Sequence, residues 1–407
     1  MNQSNSKKYI ILSAGILLAL AFGILYTWSI LKSEIDSSIK LNLPDGFHWD
    51  ISSLNDPYSL SLLVFSFTMI FSGRIQDNLG PRITTYIGGC FVFIGFMIIA
   101  FSKSYLVWLI GYGLFIGVGI GFGYAAITPV VIKWFPPQKT GLVTGLVVAG
   151  FGLSSVYIAP LYNYLINSFG LTNTILYYGI GFFIVVMIAA SFIKNPGIDY
   201  TVNKEITKSE EDKGAINILK TSPFYILWTI YFIGAGSGLM VIGFITEMVK
   251  KDLGTQAFLG VAIIAVGNAL GRIVSGYLSD KIGRVKTLLL FYLFQTLLMF
   301  VAFFTYGINS AALIVFLATF IGFNYGSNLS VFPAMTNDLW GMKKFGANYG
   351  ILYTSWGLGG FVLSRVSQMI KATTGSLEYS FLLAGIMLGV GSLLLIFFER
   401  LMKQRTQ

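Results

Sequence analysis

Twelve apolar stretches, each near the roughly 20 residues a helix needs to cross a bilayer, leave this chain few folds to choose from. They run over 9–31, 57–75, 82–102, 104–132, 141–167, 172–194, 222–246, 256–278, 286–306, 309–334, 346–370 and 377–401. Lipid offers a backbone no hydrogen-bond partners, so such stretches must be helices that satisfy their own N–H and C=O groups. Only 11% of the 407 residues are charged, against about 25% in a soluble domain, too few to coat a water-facing surface. The expectation is an all-α integral membrane protein. Lys7-Lys8 before an apolar run could mark a signal peptide. That run is long, lacks a small-x-small cleavage site and is followed by eleven more, so it reads as the first span.

Loop charge sets the orientation. With both termini inside, the cytoplasmic segments hold 19 of the 27 Lys and Arg residues. The outer loops hold six: Lys32, Lys40, Lys103, Lys250, Lys251 and Lys371. Arg272 and Arg365 fall within spans. This is the positive-inside pattern with cytoplasmic N- and C-termini in a multi-pass cell (inner) membrane protein. The net charge of +10 is therefore topogenic, and nucleic acid is not an expected partner. The single Cys90 in an apolar run and the single His48 in a polar loop leave no disulfide framework, metal site or cofactor site to expect. A polar stretch at 195–221 splits the chain into an N-terminal bundle, 1–194, and a C-terminal bundle, 222–407, of six spans each. A second long loop, 32–56, lies outside.

The two halves share a turn. Gly73-Arg-Ile-Gln-Asp-Asn-Leu-Gly-Pro-Arg82 follows the second span, and Gly276 to Lys286 follows the eighth, 203 residues later. At that offset Asp77 meets Asp280 and Gly80 meets Gly283, while Arg82 falls on Val285, between Arg284 and Lys286. Glycine permits a tight cytoplasmic turn, and Asp and Arg are expected to pair near the helix ends. Two halves repeated in parallel and joined by a polar linker are the sequence sign of a secondary transporter.

The turn Gly-x-x-x-Asp-x-x-Gly-x-Arg resembles the signature loop of the major facilitator superfamily. Other stretches are similar to its oxalate/formate antiporter family, which includes bacterial monocarboxylate carriers. They are Lys133-Trp-Phe-Pro-Pro137, Gly267-Asn-Ala-Leu-Gly-Arg272, Phe323-Asn-Tyr-Gly-Ser-Asn328 with Phe332-Pro-Ala334, and Asn348-Tyr-Gly-Ile-Leu-Tyr-Thr-Ser-Trp-Gly357. The resemblance implies the major facilitator fold: two six-helix bundles with a site near the bilayer midplane, exposed to each side in turn. It also implies that the turn residues Gly73, Asp77, Gly80, Arg82, Gly276, Asp280, Gly283 and Arg284 belong to the moving scaffold.

Arg272 is the residue that most needs explaining. A cation at mid-membrane costs about 2.5–3.5 kcal/mol on insertion scales, and no Asp or Glu lies well inside a span. Backbone carbonyls, amides and water could satisfy it as a structural residue, or a substrate carboxylate could do so through charge-assisted hydrogen bonds. The resemblance implies the second, because the family uses the matching Arg for the carboxylate. Asn268, four residues earlier, shares its helix face. The repeat offset sets Met69 and Phe65 opposite Arg272 and Asn268, so one half carries the charge and the other an apolar wall. Arg365 reads as a residue at the outer rim.

Most aromatics of a chain with 16% Phe, Trp and Tyr simply pack. Tyr26, Tyr124, Tyr325, Tyr353 and Trp356 combine a polar handle with a family position, and can stack on a small planar acid while donating a hydrogen bond. In the family's oxalate carrier the position of Trp356 is a lysine, a second cation. Its absence here suits a ligand with one carboxylate. Gly119/Gly123, Gly141/Gly145 and Gly234/Gly238 read as tight helix crossings.

These readings lead to a transporter of small monocarboxylates of the lactate, pyruvate or formate kind, by proton-linked symport or anion exchange, acting as a monomer in lipid. The competing reading is an oxalate/formate antiporter or an exporter of another organic anion. A cation exporter would need an intramembrane acid, a sensor a soluble output domain, and an enzyme a nucleophile or metal cluster within the spans. None of these is visible in the sequence.

Overall fold

A computed structural model describes residues 2–42, 44–197, 215–253, 257–308 and 310–406. Within these it describes all side chains except those of 2–5, 26, 27, 29, 215, 243–253, 257–262, 311, 405 and 406. Most of the linker expected at 195–221 lies outside the described residues. Among the described residues every regular element is helical.

The spans are α1 (Asn2–Phe22), α2 (Asp56–Leu79), α3 (Pro81–Ala100), α4 (Tyr105–Ile132), α5 and α6 (140–169 and 171–192), α7 (Ser222–Leu253), α8 (Ala257–Ile282), α9 (Arg284–Phe304), α10 (Ala311–Trp340), α11 (Phe345–Thr374) and α12 (Glu378–Thr406). Among the described residues nine stretches are long and apolar enough to cross a membrane. One of them, Pro137–Phe192, is α5 and α6 together, reversing at Gly170, whose φ of 76° suits a residue with no Cβ. Adding α8 and α11, the helices that carry Arg272 and Arg365, completes twelve. The surface is apolar, with Phe71, Phe304 and Leu393 more than 60% exposed. The interior holds Asn268, Arg272, Gln295, Asn324 and Asn328, each under 5% exposed. A chain dissolved in lipid needs that inversion.

Two spans depart from plain helices. The first was expected to run unbroken over 9–31. Instead the α-helix stops at Phe22, passes through a 3-10 stretch, Gly23–Thr27, and resumes as Trp28–Lys40. The cause is a close approach: Ser154 Oγ takes the Gly23 carbonyl at 2.6 Å, and a Cβ at Gly23 would overlap Ser154. A carbonyl drawn off the ladder loosens the helix there. The resumed helix also occupies part of the expected outer loop 32–56, and a 3-10 turn at Ile51–Ser53 occupies more of it. The second departure is Leu109–Ile116 in α4, where the hydrogen bonds widen to the π pattern.

The described structure forms two compact units. One contains Met1–Trp134, Gly150–Glu205 and Phe345–Ile351; the other contains Phe135–Ala149, Ile206–Lys344 and Leu352–Gln407. Each unit therefore includes a short segment from the opposite half of the sequence. In the first, the start of α11 crosses α2, with Gly346 against the Gly73 carbonyl and Gly350 against the Met69 carbonyl. In the second, the start of α5 crosses α8, with Gly141 against the Gly276 carbonyl and Gly145 against the Arg272 carbonyl. A Cβ at any of these four glycines would strike backbone, so contact this close requires glycine. The internal repeat seen in the turns thus extends to the crossings beside them.

Candidate functional site

The paired turns place a carboxylate at the head of each crossing helix. Gly80 and Gly283 adopt φ of 86° and 94°, a conformation open to glycine, and start α3 and α9 directly. Asp77, on the last turn of α2, accepts from the backbone N–H groups of Gly346 and Ala347 at 3.2 and 3.0 Å. Asp280, on the last turn of α8, accepts from those of Gly141 and Leu142 at 2.9 and 2.8 Å. Free N–H groups and the positive end of the helix dipole both favour a carboxylate there.

The cations differ between the turns. Arg284 pairs with Asp280 at 2.6 Å and with Asp338 at 2.8 Å. Arg82, expected to pair near its Asp in the same way, instead donates to the Ser191 carbonyl at 2.5 Å. Arg284 opens α9, whereas Arg82 is second in α3, and one residue turns a side chain by about 100°. Lys133, just beyond α4, is the cation near Asp77: burial pulls its amine below its ordinary value and the Asp77 carboxylate opposes that shift.

The second unit assembles the candidate binding residues. Arg272 is fully buried on α8. Its Nε donates to Asn268 Oδ1 at 2.8 Å, the i to i−4 contact that the spacing anticipates. One of its terminal nitrogens donates to the Val148 carbonyl of α5. Both acceptors are neutral, so these bonds orient the guanidinium without cancelling its charge. Gly326 of α10 lies against Asn268 and Arg272, near enough that a Cβ there would press on the Arg272 stem. The next residue back, Tyr325, receives a hydrogen bond from Trp356 Nε1 at 2.8 Å. Trp356 and Tyr353 of α11 stack at 5.0 Å between centroids and 23° between planes. All three aromatics are under 4% exposed.

Of the other residues singled out from the sequence, Tyr124 belongs to the first unit, held between Phe65 at 5.5 Å and Phe151 at 4.7 Å. Met69 and Phe65, the expected apolar wall, are buried in that same unit. The side chain of Tyr26 lies outside the described residues. Arg365 is exposed and sits over the Phe361 ring at 5.9 Å, as a rim residue would.

Sequence reasoning missed several participants. Tyr231 stands edge-on to Tyr353 at 6.2 Å and stacks on Phe332 at 4.1 Å. Trp228 Nε1 donates to Thr354 Oγ1 at 2.9 Å, fixing the turn between Tyr353 and Trp356. The Val148 carbonyl has no sequence signature at all. The arrangement offers one buried cation, one orienting amide and a stacked aromatic pair, a set that can hold a small planar anion.

The Major Facilitator Superfamily model matches residues 9–364 and 227–407. The oxalate:formate antiporter of Oxalobacter formigenes is 25% identical over 350 residues, which cover 85% of this chain and 80% of that protein. Monocarboxylate transporter 13 of Rattus norvegicus is 25% identical over 395 residues, covering 95% of this chain and 87% of that protein. The solved structure of the proton:xylose symporter XylE superposes with a TM-score of 0.77 at 16% identity, over 97% of this chain and 96% of that one. With its twelve helices, its duplicated turn and these matches, the chain belongs to the Major Facilitator Superfamily, as a multi-pass membrane transporter of two six-helix bundles.

Proposed function

We propose that the protein carries small monocarboxylates of the lactate, pyruvate or formate class across the cell (inner) membrane, with both termini in the cytoplasm, by alternating exposure of one site. The observation that carries this reading is the fully buried Arg272, held by the neutral oxygens of Asn268 and Val148. The guanidinium stays ionised when buried, and in this reading a carboxylate meets it with two parallel, charge-assisted hydrogen bonds. Tyr325, Tyr353 and Trp356 supply flat faces and hydroxyl or indole donors. The names of two relatives, an oxalate:formate antiporter and a monocarboxylate transporter, support an organic anion as cargo.

In this reading the buried Arg272 charge disfavours closure around an unloaded site, and the anion offsets that charge. Movement then follows loading, by exchange of one anion for another or by symport with a proton. The turn residues Gly73, Asp77, Gly80 and Arg82, with Gly276, Asp280, Gly283 and Arg284, act as the latches of that cycle. The monomer is the working form in this reading.

Arg272→Gln tests it. Truncating one partner of a buried, hydrogen-bonded charge pair costs about 2–5 kcal/mol, so uptake of labelled lactate, pyruvate or formate into reconstituted vesicles should fall at least about thirtyfold. Wild-type rates in the folded variant, for every acid tried, would end the proposal.

A further inference from the structure

A second polar cluster lies in the same unit, on α7, α9 and the face of α10 turned away from Arg272. Its anchor is Tyr292 of α9. The Tyr292 hydroxyl lies 2.8 Å from the Ile230 carbonyl of α7 and 2.8 Å from Asn328 Oδ1 of α10, a shared donation that ties three helices together. Gly234 of α7 is pressed against that hydroxyl, and a Cβ there would overlap it. One helical turn toward the outer end, each helix presents another oxygen. These are Ser237 Oγ, three residues beyond Gly234; Gln295 Oε1, three beyond Tyr292; and Asn324 Oδ1, four before Asn328 on the antiparallel α10.

Spacings of three and four keep a residue on its helix face and shift it about 4.5–6 Å along the axis. The three residues therefore lie at a similar depth, one turn above the Tyr292 junction and on the helix faces that meet there. Ser237, Gln295 and Asn324 are 0%, 3% and 3% exposed, and none of these oxygens has a hydrogen-bond partner among the described residues. The amide nitrogen of Asn324 is already used, donating to the Phe320 carbonyl at 2.8 Å, which leaves its oxygen pointing elsewhere.

A buried acceptor left unmet costs about 1–3 kcal/mol, so three at one level call for a shared partner. Two of the three are amide oxygens, which only accept, so the partner must be positive or a donor. The set lacks a carboxylate, and among the described residues no His, Cys, Asp and Glu cluster could hold a metal. Divalent ions, which take carboxylates, are thus poorly served, whereas neutral oxygens suit a hard monovalent ion. Asn324 and Asn328 lie two residues either side of Gly326, the residue that faces Arg272, so they look out from the opposite side of α10. The body of that helix separates the cluster from the guanidinium charge. At the repeat offset Gln295 corresponds to Val92, so the first half lacks the equivalent oxygen.

We propose that Ser237, Gln295 and Asn324, with the Tyr292–Asn328 junction beneath them, form a binding site for a monovalent alkali cation, with Na+ as the probe. The site is separate from Arg272, and this assignment does not rest on the carboxylate reading.

The test is thermal unfolding of the purified full-length protein in detergent, without any carboxylate, at constant ionic strength. NaCl is titrated against N-methylglucamine chloride, with KCl and LiCl as further arms. The expected result is a midpoint that rises and saturates with Na+ but not with N-methylglucamine. Gln295→Leu and Asn324→Leu should abolish that rise, and Ser237→Ala, a change of one oxygen with little loss of volume, should move its half-saturation to at least about fivefold higher Na+. An equal response to all four cations, or a wild-type response in the Ser237→Ala and Gln295→Leu proteins, would overturn the assignment. So would variants that are as stable as or more stable than the wild type in every salt, which would make the cluster a water site only. Because no carboxylate is present, a negative result here leaves the proposed transport activity standing, and loss of uptake in Arg272→Gln leaves this site standing.

Discussion

In the proposed monocarboxylate site, Trp356 sets the number of charges the cargo can carry. Its indole donates to Tyr325 and stacks on Tyr353, so the position that would hold a second cation in an oxalate site is here an uncharged wall. A second carboxylate against that wall would be a buried charge without a partner, costing several kcal/mol. Trp356→Lys should therefore raise inhibition of lactate uptake by oxalate or malonate relative to inhibition by pyruvate by about tenfold or more, as read in vesicle competition assays. An unchanged order of inhibitors would contradict this role for Trp356, and Trp356→Phe controls for loss of the hydrogen bond alone. Residues of this kind are legible when their chemistry clashes with their surroundings. Arg272 stands out because a cation in an apolar run is costly, and Asn268 follows from helical spacing. Val148 was invisible because the group that matters is a carbonyl that every residue owns. Trp228 and Tyr231 were hidden by abundance, since with 35 Phe and 22 Tyr in the chain no pattern separates a site aromatic from a packing one.

In the proposed transport cycle the helix ends act as latches. Each turn carries an Asp whose carboxylate spans two N–H groups at the start of a distant helix, but the two latches are not equal. Asp280 is also paired with Arg284, itself only 12% exposed and braced by Asp338. Asp77 shares its surroundings with Lys133, whose amine burial weakens as a cation. Removing the charge at Asp280 takes one of two carboxylates from a largely buried guanidinium, a loss of about 1.5–3 kcal/mol on top of the helix-end interaction. Removing it at Asp77 forfeits the helix-end interaction, worth about 0.5–2 kcal/mol. Asp280→Asn should thus lower the thermal midpoint clearly more than Asp77→Asn in the same detergent, and equal or reversed losses would refute the inequality. The turns were legible as Gly and Asp at a fixed offset. Their partners were not, because Gly141 and Gly346 lie 139 and 269 residues away in sequence, and only folding brings them within hydrogen-bond reach. The break in the first span was hidden for the same reason: Gly23 alone is compatible with a helix, and Ser154 supplies the competing donor.

At the scale of the molecule, the sequence divides near 195–221, whereas each compact unit reaches across that division for a short segment. The apolar spans and the repeat made the first division readable, since both are properties of local composition. The exchange of 135–149 and 345–351 was not readable, because it is made by glycine crossings and backbone N–H groups, neither of which needs a distinctive side chain. The exchange has a mechanical consequence. A C-terminal half beginning after the linker has no chain to fill the place of 135–149, so Asp280 loses two charge-assisted hydrogen bonds and Arg272 loses the Val148 carbonyl. Each such bond is worth about 1.5–3 kcal/mol, and the groups left behind are buried charges. Residues 201–407 expressed alone should therefore melt well below the same fragment co-expressed with residues 1–200. The co-purified pair should recover most of the midpoint of the intact chain, since the linker itself supplies none of these contacts. A lone C-terminal fragment as stable as the pair would show that the borrowed segment is dispensable.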